Sequence, residues 1–188
     1  MMSYRFLFFL LAVFSAPPLW AQSIRLGYFG ESITHYGLKG GVEWEMGSHY
    51  QSGRKVKKGW LISPTLACYR HPHNHIGILL SSELTYRRRN QRGGIIEAGL
   101  SPGIFRYFLD GTTYQPDDGG VLHRVRLAGG NAFMPSVFMG AGKDLSLRRQ
   151  VNLTLFTRIN LMHQRPYNTG GLMRFSLEAG IVSPLKKP

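Results

Sequence analysis

The sequence predicts an all-β fold, an antiparallel up-and-down barrel of about eight strands. Three observations predict it: apolar and polar side chains alternate with a two-residue period, the alternating segments are long, and turn-forming residues separate them. The chain has 188 residues, of which 43% are hydrophobic. That length is enough for one domain.

The N-terminal residues predict a signal peptide. Arg5 precedes an apolar run over residues 6–14, and Pro17 and Pro18 lead to the small residue Ala21. This is the layout of a secretory signal, and the run is shorter than the roughly 20 residues of a transmembrane helix. We expect a helical signal peptide over 1–21, cleaved after Ala21, and one barrel domain over 22–188. A retained N-terminal anchor helix is the alternative.

Eight segments after the signal carry strand patterns. In residues 38–46, Leu38, Val42 and Trp44 alternate with Lys39 and Glu43, which is the period of a strand. Turn residues such as Gly, Pro, Asn and Asp separate most of the segments, as expected for a sandwich or a barrel. The predicted strands are residues 38–46, 60–69, 76–86, 95–108, 121–127, 133–143, 151–162 and 173–181.

The distribution of charge favours a membrane barrel over a soluble sandwich. A membrane barrel turns apolar side chains to lipid and polar ones inward, whereas a sandwich does the reverse. The predicted strands are long enough to cross a bilayer, and aromatic residues collect near their ends. An eight-stranded barrel has room inside only for side chains. The inward set carries both signs of charge and predicts a lumen ion-pair network of Lys39, Glu43, Glu45, Glu83, Glu97, Arg158, Arg174 and Glu178.

Two short stretches carry a family resemblance. Residues 37–45, GLKGGVEWE, resemble the first-strand motif of small, largely uncharacterised outer-membrane β-barrel proteins of Bacteroidetes-type bacteria. Met134-Pro135-Ser136, with residues 140–144, is similar to another part of these proteins. The resemblance implies an outer-membrane location and an up-and-down barrel, and it implies no catalytic residues. The chain departs from the common barrel pattern because its last strand does not end on an aromatic residue.

The net charge of +13 predicts an anionic partner. For an exported chain we expect outer-membrane lipids and lipopolysaccharide, not nucleic acid. Guanidinium groups match phosphate oxygens, so the predicted polyanion-binding loops hold Arg54, Lys55, Lys57, Lys58, Arg87, Arg88, Arg89 and Arg92. With a periplasmic start, the predicted strand order places both loops outside the cell. The alternative is a solvated loop without a specific partner.

Histidines cluster in residues 68–75, CYRHPHNH. Neutral imidazoles suit zinc or copper, so His71, His73 and His75 are candidate metal ligands. Pro72 and Asn74 favour a surface turn instead. The sequence therefore predicts a hairpin here, with incidental metal binding as the lesser alternative.

The sequence predicts a non-enzymatic barrel in the outer membrane, with a structural or surface-binding role. We expect no cofactor, a monomer, and the outer-membrane assembly machinery as a partner. One alternative is a lipid-modifying enzyme, a deacylase or acyltransferase, although no motif frames a nucleophile; the residues of suitable type are His35, His49, His123, His163, Ser81, Ser82, Ser176, Glu83 and Glu178. Another alternative is a soluble periplasmic barrel that holds a lipophilic ligand.

Overall fold

The computed structural model describes residues 22–32, 34–51, 56–117, 119–146 and 151–185. The regular structure in these ranges is antiparallel β-sheet, and no helix among them has the length and apolarity to cross a membrane. The described residues form twelve strands: β1 (Ser23–Glu31), β2 (His35–Gln51), β3 (Val56–His71), β4 (His75–Asn90), β5 (Gly94–Ser101), β6 (Gly103–Leu109), β7 (Thr113–Pro116), β8 (Leu122–Val125), β9 (Gly129–Phe133), β10 (Ser136–Asp144), β11 (Thr154–Tyr167) and β12 (Gly170–Pro184).

Ten of these strands close into an up-and-down barrel. The first strand, β1, pairs with β2 on one side and with β12 on the other. At two places around the barrel, two consecutive strands lie end to end and together form one wall, that is, one complete crossing from end to end of the barrel. The β5–β6 pair is interrupted at Pro102, and the β9–β10 pair is interrupted at Met134 and Pro135. Proline donates no ladder hydrogen bond, which explains why the strands break there. Counted as walls, the described barrel has eight positions, and the predicted antiparallel up-and-down barrel is confirmed. The signal-peptide helix predicted over 1–21 lies outside the described residues.

The predicted number of barrel strands is right, but one predicted strand does not belong to the barrel and one barrel strand was not predicted. The prediction omitted β1, in which Ile24, Leu26 and Tyr28 face outward while Arg25 and Phe29 face inward. It also counted residues 121–127 as a wall. In the structure β8 pairs only with β7, as a hairpin inside the long connection from β6 to β9. Both errors have a local cause. The strand β1 was missed because its alternation of apolar and polar residues begins directly after the predicted cleavage site. The hairpin was counted because a short exposed hairpin shows the same alternation as a strand of the barrel.

Adding β1 reverses the ends of the barrel relative to the prediction. One end, the terminal end, carries the start of β1, the end of β12 and the connection 91–93, and it is also the end at which β2 is followed by β3 and β10 by β11. The opposite end, the loop end, carries the connections 32–34, 72–74, 110–128 and 168–169. The long connection thus lies at the end opposite the start of β1 and the end of β12. The histidine turn lies at the loop end, and the basic connections lie at the terminal end.

Burial is inverted relative to a soluble protein. Among the described residues, polar or charged side chains outnumber apolar ones in the buried set. Large apolar side chains are exposed around the wall, for example Leu26, Leu38, Ile96 and Phe175, each more than half exposed. A soluble domain would bury such side chains. The outer wall is therefore a surface suited to hydrocarbon.

Candidate functional site

The middle of the barrel interior is filled by one ion-pair network. Arg158 of β11 lies at its centre and is fully buried. Its Nη1 donates to Glu83 Oε2 at 2.6 Å, and its Nε donates to Glu97 Oε1 at 2.5 Å. The guanidinium also lies 4.3 Å from the centroid of the Phe138 ring. A methyl group at Gly99 would come within 2.5 Å of that ring, so this glycine leaves the ring its space.

Two more arginines extend the network towards the terminal end. Arg87 of β4 donates from Nη2 to Glu43 Oε1 at 2.8 Å and from Nε to Glu97 Oε2 at 2.9 Å. Arg25 of β1 pairs with the same Glu43 carboxylate. Its guanidinium also approaches Glu83 and Glu97, each at 3.7 Å. Carboxylates on β2, β4 and β5 are thus joined by guanidinium groups that cross the interior.

Lys39 of β2 completes the network on the side of β12. Its Nζ lies 2.6 Å from Glu83 Oε1 and 2.6 Å from Glu178 Oε1. Asn160 Nδ2 donates to the same oxygen of Glu178 at 3.0 Å. Every carboxylate of the network therefore has at least one buried cation beside it.

The network has four carboxylates, Glu43, Glu83, Glu97 and Glu178, and four cations, Arg25, Lys39, Arg87 and Arg158. Charges can be buried at acceptable cost only when they are paired and hydrogen-bonded. The equal numbers and short distances satisfy the pairing, whereas Arg25 Nε and Nη1 and Arg158 Nη2 are buried without a hydrogen-bond partner among the described residues. The arrangement occupies the narrow centre of the barrel with side chains, so the chemistry it supports is closure of the lumen.

The interior at the loop end is aromatic and histidine-rich. Tyr69 and Phe105 are buried and stack with their ring centroids 5.9 Å apart. His35 and His71 stack at 3.6 Å, and His75 lies 5.2 Å from His71 between ring centroids. These side chains project inward from the strands that flank the turns 32–34 and 72–74. Beside them, Glu31 and Arg174 form a buried ion pair that is separate from the central network.

The structure does not assemble a metal site from the predicted ligands. His71 and His75 pair across the hairpin and face inward. His73 lies exposed in the turn between them, with a φ of 61°. In the described ranges no group of three or more His, Cys, Asp or Glu side chains is placed to hold a metal ion. Cys68 is exposed and points away from the interior.

Six residues of the predicted lumen network meet in one cluster: Lys39, Glu43, Glu83, Glu97, Arg158 and Glu178. The other two lie elsewhere. Glu45 pairs with Lys57 at 2.8 Å near the terminal end, and Arg174 pairs with Glu31 near the loop end. Sequence reasoning missed Arg25 and assigned Arg87 to a loop. Both could have been found by extending the two-residue period, from Phe29 back to Arg25 and from Glu83 on to Arg87.

The predicted polyanion-binding residues lie at the terminal end, except that Arg54 and Lys55 fall outside the described residues. Arg87 belongs to the interior network instead. Arg89 pairs with Asp144 at 2.5 Å. Arg88 and Arg92 are exposed, and Lys58 is half-buried. Lys143 adds a further cation, whose Nζ donates to the backbone carbonyl of Arg92 at 2.6 Å. The described residues of this rim are therefore predominantly basic.

The residues considered for lipid hydrolysis are dispersed. Ser81 hydrogen-bonds Thr65 at 2.8 Å in the interior. Glu83 and Glu178 belong to the network. His49 lies exposed near the terminal end, whereas His123 lies in the long connection at the loop end, where it hydrogen-bonds Asp117 at 2.9 Å. No hydrogen-bonded set of serine, histidine and acid occurs in the part of the chain that the structure describes.

Neither a protein-family model nor a curated protein matches the sequence. Solved structures with a similar fold include the outer membrane enzyme PagL, at 12% identity and a TM-score of 0.46, covering 87% of this chain and 99% of that chain. Neisserial surface protein A (NspA) is 12% identical, with a TM-score of 0.44, covering 86% and 94%. The β domain of the Bordetella autotransporter BrkA is 11% identical, with a TM-score of 0.30, covering 86% and 97%. The likeness concerns the fold alone.

Proposed function

We propose that this chain is an outer-membrane barrel that closes its own lumen and binds anionic lipid head groups at its basic terminal end. The observation that carries the proposal is the inverted burial: a paired, charged interior inside a continuous apolar wall. Such a wall is unstable in water and stable in hydrocarbon. The filled interior also favours this role over a soluble barrel with a lipophilic ligand, because charged side chains occupy the space that the ligand would need.

The length of the strands supports a membrane location. Strands β2, β3 and β4 have 17, 16 and 16 residues, whereas a tilted strand needs about 9–11 to cross the hydrocarbon layer. The excess lies towards the terminal end, where Trp60 and Tyr86 pack with ring centroids 5.2 Å apart. Aromatic residues in this position match the interfacial girdle of membrane barrels. The basic rim, which comprises Lys58, Arg88 and Arg92, lies beyond this pair along the strands.

The orientation decides which lipid meets the basic rim. In bacterial barrels the longer loops face outward, and the longest connection, 110–128, lies at the loop end. The terminal end then faces the periplasm, and its rim meets phospholipid head groups of the inner leaflet. Each Lys or Arg near an anionic surface contributes about 1 kcal/mol. The partner of this rim is therefore an anionic phospholipid, in place of the lipopolysaccharide that the predicted strand order implied.

Charge reversal of the rim tests the proposal. The variant with Lys58→Glu, Arg88→Glu and Arg92→Glu should lose the preference for anionic lipid by about tenfold or more, since three attractions become repulsions. Quenching of Trp44 and Trp60 by brominated phosphatidylglycerol, compared with brominated phosphatidylcholine, measures that preference. The matched control carries Arg124→Glu and Arg126→Glu, two exposed residues of the loop end. It should behave like the unmodified protein.

Two outcomes would contradict the proposal. Equal quenching by both lipids in the unmodified barrel would remove the head-group role. Recovery of the mature protein in a soluble fraction without detergent, with no heat-dependent shift in gel mobility, would remove the membrane location itself.

A further inference from the structure

Two prolines face each other where β5 and β6 lie beside β9 and β10. Ser101 of β5 and Ser136 of β10 are partners in register, so Pro102 and Pro135 lie opposite each other. The carbonyl of Pro102 accepts from the N–H of Ser82 on β4 at 3.2 Å, and that of Pro135 accepts from the N–H of His163 on β11 at 2.9 Å. Because the N–H and C=O of a strand residue point to the same side, the N–H that each proline lacks is one towards β4 or β11. Beside the prolines the two facing walls stay bonded, since the N–H of Met134 donates to the carbonyl of Gly103 at 2.8 Å.

A groove of about 450 Å³ lies over this pair of prolines on the outer wall. It crosses four neighbouring walls and is lined mainly by apolar side chains, among them Leu100, Val137, Leu161 and Met173. Leu100, Val137 and Met173 are each more than half exposed. The floor reaches Ser101 and Ser136, whose partners in register include the buried Met162. The groove is thus a concave part of the apolar wall that runs over the two prolines.

The groove extends from the middle of the wall towards the loop end. Pro102 lies midway along its wall, whereas Met173 lies close to the turn at 168–169. His163 is the titratable side chain in the lining. A methyl group at Gly171 would come within 2.3 Å of His163 Nε2, so the ring lies over this glycine in the direction of the rim. Arg165, two residues further along the same face of β11, is exposed.

We propose that this groove holds one acyl chain of a lipopolysaccharide molecule, whose phosphate lies beside His163 and Arg165. The inference rests on the proposed membrane location, and it concerns a different site and the opposite leaflet. The groove is continuous with the lipid-facing wall, so its occupant is hydrocarbon. Its upper end is basic, which complements a phosphate. With the loop end outside, that end lies in the outer leaflet, where lipopolysaccharide is the phosphate-bearing lipid.

Photo-cross-linking tests the site with a matched pair of positions. p-Benzoylphenylalanine is placed at Leu161, which lines the groove, or at Ile159, the preceding outward residue of the same strand, which does not. The full barrel is reconstituted in vesicles that contain purified lipopolysaccharide and phosphatidylglycerol, and the adducts are identified by mass spectrometry. The lipopolysaccharide adduct should be about fivefold more abundant at position 161, the ratio that about 1 kcal/mol of extra contact gives.

Filling the groove provides a second measurement. Val137→Trp should lower the lipopolysaccharide adduct at position 161 about fivefold, and Met139→Trp, on the open wall of the same strand, should leave it within about twofold. The double variant His163→Ala with Arg165→Ala should lower the lipopolysaccharide adduct and leave the phosphatidylglycerol adduct unchanged.

The possible contrary results separate the two proposals. If the lipopolysaccharide adducts at positions 161 and 159 are equally abundant in a barrel that shows heat-dependent mobility, the proposed lipid site in the groove is wrong and the membrane location stands. A preference for phosphatidylglycerol at position 161 would overturn the assignment to lipopolysaccharide. Absence of both adducts together with absence of the mobility shift would overturn the membrane location and the groove with it.

Discussion

Arg158 is the residue on which closure of the interior depends most directly. Among the described residues it alone hydrogen-bonds both Glu83 and Glu97, and no part of its side chain reaches solvent. Its long side chain also packs on Phe138. Neutralising it would leave two carboxylates with fewer cations in a narrow space.

The variant Arg158→Met should lower the free energy of unfolding by roughly 3–5 kcal/mol, because removing one partner leaves buried charge uncompensated. Urea unfolding of the refolded barrel in vesicles measures the change. Arg88→Met, at an exposed position of the rim, is the control and should change stability little. Adding Glu97→Gln to Arg158→Met should restore part of the loss. Full stability of the single variant would show that the network contributes nothing.

Asp117 in the long connection makes stability of the β7–β8 hairpin depend on pH. The hydrogen bond from His123, followed by the N–H of Val121, holds the pKa of Asp117 below its ordinary value of 3.8. A carboxylate with a lowered folded pKa stabilises the folded hairpin above its ordinary pKa, and the contribution is lost as the pH falls through the lowered value.

We therefore expect amide exchange at Val121, corrected for intrinsic rates, to accelerate as the pH falls below about 4. Hydrogen exchange followed by NMR measures it, and Asp117→Asn should remove this pH dependence. Asp110→Asn is the comparison, because Asp110 pairs with Arg70 outside the hairpin. An unchanged profile in Asp117→Asn would assign the transition to another group.

At the scale of elements, β1 and the β7–β8 hairpin show a similar alternation of apolar and polar residues, but β1 is part of the barrel and the hairpin is not. The first strand closes the barrel through nine residue pairs with β12 and carries Arg25. The hairpin pairs only within itself. Because β1 pairs on both sides, it also leaves no open sheet edge there, and a membrane barrel cannot expose such an edge to lipid.

Deletion of residues 23–31 should abolish folding, whereas replacement of residues 113–125 by a short Gly-Ser linker should preserve it. Heat-dependent gel mobility of the refolded proteins distinguishes the two results. If the β1 deletion still folds, closure must arise in another way. If the hairpin replacement fails, the hairpin contributes to the barrel through contacts other than strand pairing.

At the scale of the whole molecule, the paired interior predicts a barrel that does not conduct ions. The unmodified protein should give no steady unit conductance in a planar bilayer, after insertion has been verified by its gel mobility. The double variant Glu97→Ala with Arg158→Ala opens the centre and should show intermittent currents, since an eight-stranded barrel is only just filled by its side chains. A stable conductance of the unmodified barrel would contradict closure by the network.

Much of the interior could be predicted from the sequence, because one face of each strand is read directly from a two-residue period. Lys39 and Glu43 share parity on β2, and Glu83 shares parity with Arg87 on β4. The prediction was wrong about where individual strands begin and end. Arg87 was assigned to a loop because three arginines in succession resemble a solvated turn, although β4 continues to Asn90.

The sequence by itself determined an all-β chain with one apolar and one charged face to its strands, and a histidine-rich hairpin at residues 71–75. Only the tertiary structure decided which strands are neighbours, because pairing joins residues far apart in the chain: Glu178 meets Lys39, and β12 meets β1. Closure by β1 then decided which end carries the basic rim. A two-residue period in the sequence shows which face of a strand a side chain is on, but it does not show which residue of another strand lies opposite.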